Sequence, residues 1–201
     1  MHGACVVVEL EDHAAALVSL PFDEQHRAGE LGPIRRGEYI AGRTALHLAL
    51  APAVGEGVAI LSDDRGAPIL PQGWVGSIAH KGSHQGVRAA ALVAPAGRGH
   101  IGVDLEVAAS PRQDIARRIL TPREQAQLPD RGRAVTLRFS IKEAIYKAID
   151  PYVRRYVGFT EVELEVTGDH VIVTTALPFD IEATWREHAG HWLATARACP
   201  R

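Results

Sequence analysis

The sequence predicts an α+β fold made of two similar α/β halves, packed face to face with an active site in the cleft between them. Three observations predict it. Segments with alternating apolar residues, the mark of strands, are interspersed with segments of helical periodicity. The helical stretches Tyr39–Leu46 and Phe139–Tyr146 share a pattern and lie about half a chain apart. Pro95–Gly99, near the midpoint, reads as a linker and divides the 201 residues into 1–98 and 99–201.

The elements follow in order. Cys5–Leu10 reads as a short strand. In Pro33–Leu50 the residues Ile34, Tyr39, Ala45, Leu46 and Leu50 approximate a helical stripe, and Pro33 suits a first turn. Pro52–Gly57 is expected to break that helix. Arg65-Gly66-Ala67-Pro68 and Pro71-Gln72-Gly73 carry turn chemistry. Trp74–Ile78 and Val87–Val93 read as strands around a loop, Ala79–His84. Ile101–Glu106 alternates cleanly. Thr121-Pro122-Arg123-Glu124 is a helix start, with Thr as N-cap, Pro at the first helical position and Glu three residues after the cap. Leu137–Ile149 reads as a helix stopped by Asp150-Pro151. Glu161–Val166 and His170–Thr175 form a hairpin around Gly168-Asp169, and Ile181–Trp185 and Trp192–Arg197 are further strands.

Composition narrows the function. A net charge of −2 gives no global case for nucleic acid. No segment reaches the apolar length of a membrane span, and Met1–Leu10 lacks the features of a signal peptide. Cys5 and Cys199 have no metal-type spacing and read as thiols of a reducing, cytoplasmic compartment. The ten histidines form no HExxH or His/Cys cluster, which argues against zinc.

Four segments could carry chemistry. Of the 22 Lys and Arg residues only Lys81, Lys142 and Lys147 are lysine, and two of them lie in Phe139–Ala148. A compact ammonium differs physically from a planar guanidinium, so their retention points to a phosphate–metal site or simply to two exposed helix lysines. On that helix Ile141, Ala144, Ile145, Ala148 and Ile149 form the core stripe, and Glu143 and Lys147 share the other face. In Ile101–Glu106 the apolar residues take one face of a strand, leaving Gly102, Asp104 and Glu106 on the other. Two carboxylates beside a Gly that admits a ligand suit Mg²⁺, and an acidic strand face in water has the same pattern. Ser77, His80 and Lys81 at a strand end could bind phosphate. Arg36 and Arg43 are two helical turns apart and could do the same, or form a solvated basic face.

Taken together and in this order, the segments resemble the surfactin-type 4'-phosphopantetheinyl transferases, with the nearest pattern in the enterobactin synthase branch. The matching residues are Arg36–Arg43, Pro68–His80, Gly102–Glu106 and Phe139–Lys147, within a resemblance that spans residues 35 to 155. The resemblance implies a pseudo-dimer of two halves. It also implies transfer of the phosphopantetheine arm of coenzyme A to a serine of an apo acyl- or peptidyl-carrier protein, with Mg²⁺ and with release of 3',5'-ADP. Asp104, Glu106 and Glu143 would hold Mg²⁺ in residues 99–201. Glu143 would also act as base, and Lys147 would neutralise phosphate charge. Arg43 and His80, with Arg36, Ser77 and Arg65, would hold the nucleotide from residues 1–98. Ala79 and Ala67 depart from the common Ser/Thr and Lys of relatives, and Arg65 could replace that Lys.

Residues 112–133 hold Arg112, Arg117, Arg118, Arg123, Arg131 and Arg133 against Asp114, Glu124 and Asp130, six cations to three carboxylates. This local +3 would steer an acidic carrier protein, and a solvated helical pair reads the same way. A monomer is expected, since duplication supplies the interface. The competing readings are a non-catalytic coenzyme A or carrier-protein binding module of the same fold, and a Mg²⁺-dependent phosphohydrolase. The intact set of Asp104, Glu106, Glu143 and Lys147 favours the transferase.

Overall fold

The computed structural model describes residues 2–55, 57–83, 86–128 and 132–201. The chain forms two compact units, His2–Gly97 and Arg98–Arg201. Among the described residues no helix is long and apolar enough to cross a membrane. Cys5 and Cys199 are free thiols.

The first unit contains β1 (Ala4–Leu10), α1 (His13–Val18), α2 (Phe22–Gly29), α3 (Pro33–Val54), β2 (Trp74–Ser83) and β3 (Gly86–Pro95). Its sheet is antiparallel in the order β1-β3-β2. Helix α3 lies on the sheet and buries Ala41, Ala45, Leu46 and Leu50 against Ala89, Ala91 and Val93 of the central strand. Alanines on both elements allow the helix to sit close to the strands. Gly42 extends this contact, since a Cβ there would meet Ile78 Cγ2 at 3.0 Å.

The second unit contains β4 (His100–Val107), α4 (Ala116–Ile119), α5 (Pro122–Gln127), α6 (Arg133–Val153) and a 3₁₀ turn, Phe159–Glu161. After it come β5 (Val162–Thr167), β6 (His170–Thr175), β7 (Phe179–His188) and β8 (His191–Pro200). Its main sheet runs β4-β8-β7, and β5 pairs with β6 in a separate hairpin. The topology repeats that of the first unit: the first strand pairs with the last, which pairs with the one before it. Helix α6 begins at Arg133, as α3 begins at Pro33, and packs Ala144, Ile145, Ala148 and Ile149 on Ala194, Ala196 and Ala198 of β8.

The duplication extends to detail. In the first unit the stretch is Leu20-x-x-x-Glu24-Gln25, and 100 residues later it is Leu120-x-x-x-Glu124-Gln125. Each Gln side chain donates to the carbonyl of its own Leu, at 2.7 Å for Gln25 and 3.0 Å for Gln125. Each Glu is fully buried. Each accepts a backbone N–H from the segment after the long helix, Ile60 at 2.5 Å and Leu164 at 3.0 Å. Each also meets a nitrogen from that helix, His47 at 2.9 Å and Lys142 at 2.8 Å.

Most element positions match expectation, and the differences have physical causes. Both prolines expected to end helices lie inside them, Pro52 in α3 and Pro151 in α6. Each removes a single donor near a helix end, a cost that tertiary contacts can outweigh. In α6, Tyr152 and Val153 pack on the core beyond the proline and hold the last turn. That helix also starts earlier than Leu137, because Val135 is anchored in a small core with Ala116, Ile119 and Leu120. The expected loop from Ala79 to Ser83 is instead strand, paired with β3 in the register His80↔Ala89 and Lys81↔Arg88. His84, at the end of that expected loop, lies outside the described residues. Helices α1, α2 and α4 are too short to show a periodic signature. The capping box at Thr121 forms as the spacing predicts.

Candidate active site

Strand β4 and helix α6 form the candidate site. Asp104 is buried, and its Oδ1 accepts from Lys147 Nζ at 2.9 Å. The same Nζ donates to the Val103 carbonyl at 2.9 Å. The second oxygen of Asp104, Oδ2, is buried and has no hydrogen-bond partner. A buried carboxylate oxygen without a donor is costly, and a cation or an ordered water would satisfy it.

Glu143 is half-buried on α6. Burial pushes its carboxyl above the ordinary glutamate range, the charge of Asp104 adds to this, Lys147 opposes it, and Glu106 raises it further. The other two carboxylates and the ammonium foreseen from sequence therefore all bear on Glu143. Among the described residues, however, no three His, Cys, Asp or Glu side chains form a ready-made metal-holding group. One reason is visible: Asp104 Oδ1 is turned to Lys147.

Gly102 does something different from the expected admission of a ligand. A Cβ at Gly102 would fall 1.9 Å from the Ala144 carbonyl oxygen and 2.8 Å from the Ala148 nitrogen. Glycine is needed so that the backbone of α6 can lie on β4. Both faces of β4 are consequently covered at Gly102 and Asp104, which are buried along with Ile101, Val103 and Leu105.

Lys142 is not an exposed helix lysine. It is fully buried and donates to the Ile119 carbonyl at 2.7 Å, Glu124 Oε2 at 2.8 Å and the Phe159 carbonyl at 2.9 Å. Burial lowers its proton affinity and Glu124 restores part of it. The sequence marked Glu124 as a capping residue and as one of the carboxylates of the basic stretch. Its pairing with Lys142 was signalled by the repeated Leu-x-x-x-Glu-Gln pattern.

The first unit holds the candidate nucleotide residues. Arg43 is buried in α3, donates from Nη2 to Ser62 Oγ at 2.7 Å, and stacks over the Tyr39 ring at 4.6 Å. Its Nε has no partner. Arg36, two turns earlier, is exposed, so the two arginines share a helix face but not an environment. His80 lies 3.5 Å from Glu38 of α3, a carboxylate that sequence reasoning did not single out. Ser77 is buried and, three residues from His80, points to the opposite face of β2. Arg65 is exposed in a turn where Asp63 Oδ1 accepts the N–H groups of Arg65 at 2.9 Å and Ala67 at 2.8 Å.

The basic stretch divides into two sets. Arg123 pairs with Glu163 at 3.3 Å and Glu165 at 3.6 Å, and Arg133 pairs with Glu187 at 3.0 Å. Arg112, Arg117 and Arg118 are exposed, while Glu124, counted against them in sequence, is buried under Lys142. Asp130 and Arg131 lie outside the described residues.

Two family profiles match. The 4'-phosphopantetheinyl transferase N-terminal domain covers residues 23–94, and the 4'-phosphopantetheinyl transferase superfamily covers residues 100–198. The 4'-phosphopantetheinyl transferase Npt of Nocardia iowensis is 34% identical over 75% of this chain and 71% of its own length. PptT of Mycobacterium tuberculosis is 30% identical over 67% of this chain, and enterobactin synthase component D of Salmonella typhimurium is 33% identical over 77%. The matches span 60% and 64% of the lengths of those two relatives. A solved holo-acyl-carrier-protein synthase from Thermotoga maritima matches 50% of this chain and 63% of its own, at a TM-score of 0.41 and 24% identity. On the profiles and the sequence relatives, this chain belongs to the 4'-phosphopantetheinyl transferase superfamily of enzymes.

Proposed function

We propose that the chain transfers the 4'-phosphopantetheine arm of coenzyme A to a serine of an apo acyl- or peptidyl-carrier protein, releasing adenosine 3',5'-bisphosphate. The observation that carries this reading is the Asp104–Lys147 pair, with an unpartnered buried carboxylate oxygen on Asp104 and with the charges of both residues bearing on Glu143. In the transfer the serine Oγ bonds to the phosphorus that carries pantetheine. The bond from that phosphorus to the oxygen shared with the nucleotide phosphate breaks. The serine proton passes to Glu143, directly or through a water. Burial raises the proton affinity of Glu143, which strengthens it as an acceptor for that proton.

Asp104, Glu106 and Glu143 would hold Mg²⁺. The set fits, because it consists of hard oxygen donors and the partnerless Oδ2 of Asp104 is an oxygen that a cation would satisfy. When bound, the ion neutralises pyrophosphate charge. Lys147 carries a mobile point charge to the leaving phosphate, and phosphoryl transfer depends mainly on such positioning and charge neutralisation. Arg43 and His80, with Arg36, Arg65 and Ser77, hold the nucleotide and its 3'-phosphate. The unpartnered Nε of buried Arg43 supports this role. Exposed Arg112, Arg117 and Arg118 steer the acidic carrier. The protein acts as a monomer in the cytoplasm.

The test is to incubate the protein with coenzyme A, Mg²⁺ and a panel of apo-carrier proteins, and to read carrier mass. A gain of one phosphopantetheine, lost on chelation, is expected. Coenzyme A binding without modification of any carrier would overturn the reading. Glu143→Gln is expected to abolish transfer with the fold retained.

A further inference from the structure

Helix α6 carries Glu143 and Lys147, and its rotation decides whether they face Asp104. Residues on an α-helix are spaced about 100° apart. With Lys142 at the origin, Glu143 and Lys147 lie at about 100° and 140°, and Ala144 and Ala148 at about 200° and 240°. The helix is held on both sides of the Glu143–Lys147 sector. On one side Ala144 and Ala148 meet Gly102 backbone to backbone. On the other, Lys142 Nζ meets three acceptors, one each from the end of α4, from α5 and from the 3₁₀ turn.

We infer that the Glu124–Lys142 pair is a positioning strut that sets the rotation of α6 and so aims Glu143 and Lys147 at Asp104. The inference rests on the assignment of those three residues to the reaction. An ammonium has three N–H donors, and here all three are used. A guanidinium has a planar fork and cannot serve three acceptors arranged around one point. This explains a retained lysine in a chain that writes all but three of its 22 Lys and Arg residues as arginine. Both strut residues are fully buried, so the expected effect is on alignment rather than on binding of the nucleotide.

Removing one partner leaves the other charge buried and endangers folding. The decisive variant is therefore the charge-free double substitution Glu124→Gln with Lys142→Met, which preserves volume. Three quantities are compared with the wild-type protein: thermal midpoint, Mn²⁺ affinity by calorimetry, and transfer kinetics. The expected result is a folded protein with unchanged KM for coenzyme A, kcat lowered on the order of tenfold to a hundredfold, and Mn²⁺ affinity lowered by a similar factor. A lowered midpoint with wild-type kcat and Mn²⁺ affinity would overturn the strut. If the wild-type protein binds Mn²⁺ but modifies no carrier, the transfer reading fails by itself, and the Mn²⁺ comparison still decides the strut. Lys142→Arg is expected to resemble the double variant rather than to rescue it.

Discussion

Gly102→Ala tests how finely β4 and α6 are matched. The added Cβ would lie 1.9 Å from the Ala144 carbonyl oxygen. An ordinary carbon–oxygen contact is about 3.3 Å, so the shortfall is about 1.4 Å. The opposing atoms are backbone, and no rotamer change relieves them. Helix and strand must separate by about 1 Å or the strand must buckle, and either movement breaks the 2.9 Å contact of Lys147 with Asp104. Overpacking of this kind costs roughly 1–3 kcal/mol. Misplacement by about 1 Å costs on the order of a hundredfold in rate. The assay is holo-carrier formation followed by mass, with initial rates at saturating coenzyme A and a melting curve on the same preparation. A variant with an unchanged melting temperature and wild-type kcat would refute the reasoning, because it would show that α6 can absorb the methyl without moving its catalytic face.

Glu124→Gln as a single change leaves Lys142 charged and buried beside a neutral amide, and should lose roughly 3–5 kcal/mol in denaturant unfolding; a loss under 1 kcal/mol would mean that the pair is not held as described. In the metal-free protein Glu143 should titrate above the ordinary glutamate range, because burial and the charge of Asp104 raise its proton affinity. Glu106→Gln, which removes one negative neighbour, should lower that titration point, and a carboxyl infrared or NMR titration of the metal-free variant that finds it unmoved or raised would contradict the coupling. The same raised value means that Glu143 resists ionisation in the folded protein. Its contribution to stability is therefore greatest at low pH and falls as pH rises from the unfolded glutamate value through the folded one; unfolding curves of wild type and Glu143→Gln across that window check the sign. Charge reversal of Arg117 and Arg118 should raise KM for carrier on the order of tenfold, more at low salt than at high, with KM for coenzyme A unchanged; a KM left unchanged with every carrier would remove the steering surface.

How much of this could be read in the sequence depends on the reach of each signal. Strand alternation at Ile101–Glu106 and the alanine stripe of α6 are local patterns, and both elements lie where those patterns put them. The capping box at Thr121 is local chemistry and forms as written. What could not be read was non-local. Whether Pro151 ends a helix depends on Tyr152 and Val153 finding a core beyond it. Whether Gly102 admits a ligand or a helix depends on which backbone arrives there. Lys142 and Glu143 are neighbours in sequence, yet one is locked beneath three acceptors and the other is half-buried beside Asp104. Their separation into two functions is a matter of 100° of helix, which a one-dimensional pattern carries only once the direction of the core is known.

The repeated topology has a consequence for how such an enzyme can change. At positions 100 residues apart, the first long helix has Arg43 and His47 where the second has Glu143 and Lys147. One scaffold thus presents cationic and ring nitrogen groups in one copy and a carboxylate with an ammonium in the other. Two identical subunits could not do this, because every substitution would appear in both. With both copies in one chain, a lineage can alter the residues of one helix and leave its counterpart intact, so the two helices evolve as separate parts.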